Sequence, residues 1–180
     1  MEKKNYRGML EAEASKHGVR VLYHSRGAQW GRAALGSKRI FVPRPARFTS
    51  FFTGLHELGH IMSNHHAADG KPEYIWEFEA FIWAVHFCKS RGITVPARIV
   101  KNERDIIAER LKEQVDSGAE HLDPAVVRFV KEGDDDDPDV EFVKRFVTND
   151  GTVLASRPGS HPRTSYHFTG SPGSSVLLQR

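Results

Sequence analysis

The sequence predicts an α+β fold in which a small three-stranded antiparallel sheet packs on a helical bundle. Short segments of strand type or strand length, separated by Gly and Ser, fill the stretch before Pro43 and Pro45. Beyond it, apolar residues recur at three and four residues, the period of a helix face. Gly70, Pro72 and the pair Asp123-Pro124 then punctuate the chain where one helix must stop and another start.

Taken in order, residues 5 to 16 read as a helix with Tyr6, Met9, Leu10 and Ala14 near one face and Gly18 placed to end it. The strand segments are Val19–Tyr23, Arg32–Gly36 and Lys38–Val42. Proline closes a strand and is tolerated in the first turn of a helix, so the next helix is expected from about Ala46. Its apolar stripe is Phe48, Phe51, Phe52, Leu55, Leu58 and Met62. Gly54 and Gly59 inside it cost about 1 kcal/mol each relative to Ala, which points to another element approaching closely. A second strong helix runs from Glu73 to Ser90, and a charged amphipathic one follows from Val95 to Asp116, with Ile99, Val100, Ile106, Ile107, Leu111 and Val115 as its seam. Asp123-Pro124 opens a short helix through Val130.

Composition then shifts. Residues 1–132 form the expected domain; residues 133–180 form an extension, an acidic linker over Asp134–Asp137 followed by a Ser/Gly/Pro/Arg-rich tail expected to be disordered from residue 156. Val140 to Ala155 suits either a helix or a hairpin turning at Asn149-Asp150-Gly151. Cys88 is the single cysteine, no apolar leader follows Met1, and no run reaches membrane-span length, so a cytoplasmic protein is expected. A net charge of +3 without a dense basic stripe argues against nucleic-acid binding as the main role. Arg157, Arg163 and Arg180 in the tail leave it as a lesser reading.

Within the second expected helix stands His56-Glu57-Leu58-Gly59-His60, an H-E-x-x-H run. Histidines four apart on a helix differ by only about 40° in direction, so both rings can reach one metal ion while Glu57 approaches a water beside it. That is the kit for zinc-assisted hydrolysis, with Glu57 taking the proton of the attacking water. In a chain holding 10 His the motif can arise by chance, so its surroundings must decide. A third ligand is needed. Glu77 heads a stripe with Ala80, Phe81, Ala84, Val85 and Cys88, and a carboxylate there is compensated if it binds a cation. Glu79, about 200° around the same helix, is the alternative, and His66 is another, provided that Asn64 takes a left-handed conformation to turn the chain back. Tyr74, His86 and His65 are the candidates for stabilising an oxyanion.

The strand Ile40-Phe41-Val42, then Arg47-Phe48-Thr49, then Leu55–His60 with the trailing His65-His66, followed by Glu77-Phe78-Glu79-Ala80 and Trp83-Ala84, resembles the ImmA/IrrE family of metallopeptidases over roughly residues 17 to 90. The resemblance implies His56, His60 and Glu77 as metal ligands, Glu57 as general base, and zinc as the metal. It also implies action inside bacteria or their mobile elements on a protein partner, a DNA-binding repressor or similar regulator. Two departures stand out. Phe81 occupies the position where the family commonly has Asn or Asp, which removes a partner expected to orient a histidine, and Phe87-Cys88-Lys89-Ser90 replaces the usual Leu-Leu-Met-Pro closure. The alternative reading is a catalytically silent, metal-containing protein that binds such a regulator.

Overall fold

The computed structural model describes residues 5–24, 30–65, 70–133 and 137–154. Helix α1 (Tyr6–Lys16) is capped by the Asn5 side chain, which accepts a hydrogen bond from the Gly8 N–H. Strands β1 (Arg20–Tyr23), β2 (Arg32–Ala34) and β3 (Arg39–Val42) follow, with one short 3-10 turn between the last two. Then come α2 (Phe48–Met62), α3 (Glu73–Ser90), α4 (Ala97–Asp116), α5 (Pro124–Lys131) and α6 (Pro138–Phe146). The fold is α+β.

The sheet is mixed, not antiparallel as expected. Its order is β1-β3-β2: β1 runs parallel to β3 in the register Val21↔Ile40 and Leu22↔Phe41, while β2 pairs antiparallel with β3 through Ala33↔Ile40. The chain leaves β1, passes to the far side of the sheet to lay down β2, and returns between the two. Periodicity alone could not show that, since it fixes which face a residue takes but not which strand it meets.

Two apolar clusters share the molecule. The first joins Leu10 and Ala14 of α1, Ile40 and Val42 of β3, Phe51, Phe52, Leu55 and Leu58 of α2, and Phe81, Ala84 and Cys88 of α3. Both interior glycines of α2 are contact points, as the sequence suggested. A Cβ on Gly59 would stand 2.7 Å from the Ala80 carbonyl oxygen of α3, and one on Gly54 would stand 2.5 Å from Leu10 Cδ2. The Gly59 contact is what brings α2 and α3 close enough for short side chains to converge. The second cluster packs Ile107, Ala108, Leu111 and Val115 of α4 against Val126, Val127 and Val130 of α5 and Val140 and Val143 of α6. Ile106, expected in the α4 seam, lies 36% exposed.

Packing therefore continues past residue 132, beyond the expected domain boundary. Asp137, expected in the acidic linker, instead caps α6 by accepting from the Asp139 and Val140 N–H groups. Both alternatives for Val140 to Ala155 appear in succession, a helix to Phe146 and then a reversal at Thr148–Thr152 with Val147 bridging Val153. Asp134–Asp136 and the tail from residue 155 lie outside the described residues. Among the described residues no helix is long and apolar enough to cross a membrane.

Candidate metal centre

The helical crossing at Gly59 sets His56 and His60 of α2 opposite Glu77 of α3. His56 Nε2 lies 2.9 Å from Glu77 Oε2, His60 Nε2 lies 3.6 Å from Glu77 Oε1, and the two Nε2 atoms are 3.2 Å apart. One ligand atom from each residue falls within 4.8 Å of the others. Ligand atoms about 2.0–2.1 Å from a tetrahedral ion stand about 3.3 Å from one another, so the spacing fits a small divalent cation. Two imidazole nitrogens aimed at each other and at a carboxylate are otherwise a costly arrangement to bury. The three residues thus form a group that could hold a metal ion.

Glu57, next to His56 on α2, lies against Gly31 at the edge of the sheet. It is 9% exposed, and its carboxyl is pushed up to about 7, chiefly by burial; the charge of His56 opposes this, while Glu77 and Glu103 add to it. A backbone hydrogen bond from Ala33 on β2 also reaches it. Gly31, just before β2, leaves it room: a Cβ there would lie 2.5 Å from Glu57 Oε1. No motif in the sequence singled out Gly31.

The surroundings pull the two histidines in opposite directions. Burial alone would keep His56 neutral, but the carboxylates of Glu103 and Glu77, the latter hydrogen-bonded to it, outweigh burial and hold its pKa well above 6.5. Burial and the neighbouring His56 push His60 down to about 4. Burial disfavours an ionised Glu77, yet its hydrogen bond to His56 and the charges around it keep its pKa below 4.5.

Glu103 of α4 was not anticipated. Its Oε2 lies 3.2 Å from His56 Nδ1, which is buried and out of line for a well-formed hydrogen bond. A signal was present: Ile99, Glu103, Ile107, Leu111 and Val115 recur at four residues, so a carboxylate sits on a seam whose other members are buried hydrophobics.

Of the alternatives, Glu79 faces away from the group and pairs with His65 Nε2 at 2.8 Å and with Lys71 Nζ at 2.8 Å. His66 lies outside the described residues. Asn64 does adopt the left-handed conformation, φ 55°, but the turn delivers His65 to the back of His60. His65 is 1% exposed, with Nδ1 3.0 Å from His60 Nδ1. Tyr74 packs in the second cluster and its hydroxyl oxygen accepts from the Asp123 N–H. His86 is exposed, about 13 Å along α3 from Glu77.

Comparison with family models, with curated proteins and with solved structures finds no match. The resemblance to the ImmA/IrrE metallopeptidases therefore rests on the chain's own residues.

Proposed function

We propose that the chain is a cytoplasmic zinc-dependent peptidase that cuts a specific protein partner, a DNA-binding repressor or similar regulator, as its resemblance to the ImmA/IrrE metallopeptidases implies. One observation carries the reading: Glu57, buried against Gly31, stands in the same helical turn as a pair of histidines that converge with Glu77. His56, His60 and Glu77 would hold the zinc, which when bound supplies Lewis acidity to a carbonyl and to water.

Glu57 accepts a proton from the attacking water and later returns it to the leaving amine. A carboxyl poised near 7 serves both directions. The Ala33 backbone hydrogen bond and the gap at Gly31 fix where that carboxylate stands. β2 pairs only with β3, so among the described residues it is an edge strand. A peptide laid along it as an added strand would run past Glu57, which favours an extended polypeptide as substrate.

The test is a survey of new N-termini after incubating a protein library with zinc-loaded protein. Wild type should generate a defined set of cleavages, and Glu57→Gln should generate none while carrying equal zinc. Equal cutting by the two, or none by either, would favour the silent binding protein.

A further inference from the structure

The ligand faces of His56 and His60 are their Nε2 atoms; their Nδ1 atoms point back into the protein, and each meets a group tied to a carboxylate. Behind His60 the chain is continuous. His60 Nδ1 lies 3.0 Å from His65 Nδ1, His65 Nε2 lies 2.8 Å from Glu79 Oε2, and Lys71 Nζ donates to both Glu79 oxygens at 2.8 and 3.0 Å. Trp76 lies nearly parallel to the His65 ring, 16° between planes, and limits its rotation.

Proton positions follow from counting. A contact between two Nδ1 atoms needs a hydrogen on one and a lone pair on the other. Glu79 accepts, so a neutral His65 carries its single hydrogen on Nε2 and offers the Nδ1 lone pair. His60 must then donate from Nδ1, which leaves its Nε2 bare and aimed at the group it shares with His56 and Glu77. Behind His56, Glu103 Oε2 lies 3.2 Å from Nδ1, a close charge contact without hydrogen-bond alignment.

We propose that His65, held by Glu79, is a positioning residue that fixes the ligating tautomer of His60 before any metal arrives, and that Glu103 is a positioning residue that sets the orientation of the His56 ring. The proposal rests on the reading of His56, His60 and Glu77 as a metal site. Carboxylates behind ligating imidazoles commonly contribute 10- to 100-fold in metal affinity. Glu103 backs His56 and the His65 relay backs His60, so neither can stand in for the other.

The experiment combines zinc affinity, measured by competition with a chelating dye, and nitrogen-15 spectra of the histidine rings in the metal-free and zinc-loaded full chain. The expected wild-type result is a His60 protonated on Nδ1 in both states. His65→Phe and Glu103→Ala should each lose about 10- to 100-fold in zinc affinity. His65→Phe should also lose the fixed His60 tautomer without metal, and His65→Gln, which restores an acceptor, should recover most of both. Should His65→Phe fail to fold, Glu79→Ala, which removes the acceptor, reads the same relay from the surface and should likewise lose the fixed His60 tautomer. Affinity within twofold of wild type in His65→Phe and Glu103→Ala, or a metal-free His60 bearing its hydrogen on Nε2, would overturn the proposal. If the wild type binds no zinc, the metal site itself is wrong, and the metal-free tautomer still decides whether His65 orients His60.

Discussion

His56 and His60 stand one turn apart on α2 and face the same point, yet what lies behind them differs. His56 is backed by a bare carboxylate, Glu103, and His60 by an imidazole whose carboxylate is itself paired with Lys71. The first ring is drawn toward its charged form, well above 6.5, and the second is kept neutral to about 4. Place in a motif thus does not fix a ligand's protonation; the helix packed behind the ring does. A site with one protonated and one neutral ring must shed a proton when a cation enters.

The largest effect expected from this contrast is a pair of opposite pH dependences in the metal-free protein. His60 has a depressed folded pKa, so below about 6.5 the unfolded chain takes up a proton that the folded chain refuses until about 4. Stability is lost as pH falls through that window, by about 3 kcal/mol in all. His56 has a raised folded pKa, so its contribution is fully present below about 6.5 and is lost as pH rises through the folded value. Denaturant unfolding in chelator should therefore show His60→Gln gaining on wild type toward acid, whereas His56→Gln should lose most against wild type below neutrality. The same sign for both would break the comparison.

A smaller effect is expected in calorimetry. Zinc binding at pH 7 should release about one proton from the His56 and Glu77 pair in wild type. Glu103→Gln should release less, because one of the two carboxylates holding that proton is gone. Unchanged release would show that Glu103 does not govern His56.

The smallest effect on zinc affinity belongs to Gly31→Ala, which touches neither ring. The added methyl meets Cγ, Cδ and Oε1 of the buried Glu57 side chain within 2.8 Å, so stability should fall by about 1–3 kcal/mol and zinc affinity should stay level, while peptide cleavage drops. Loss of zinc affinity in this variant would mean that the two sides of α2 are not independent.

The parts of this arrangement that were legible in the sequence are those encoded within one helix. The His56–His60 spacing, the α3 bounds Glu73–Ser90, Glu77 at the head of its stripe and the Asp123 cap all follow from helical period and capping chemistry. What was not legible depends on which element meets which. The parallel pairing of β1 with β3 and the arrival of Glu103 beside His56 are set by tertiary packing, and so is the continuation of the second cluster into α6. His65 falls between: the left-handed capacity of Asn64 was readable, but the direction in which it sends the chain was not.

Everything depends on whether His56, His60 and Glu77 share one ion. The most direct measurement is the structure of the zinc-soaked protein with the metal located by its anomalous scattering. We expect a single ion at about 2.0–2.2 Å from both Nε2 atoms and a Glu77 oxygen. An ion held by Glu79, or none between the two rings, would contradict the account.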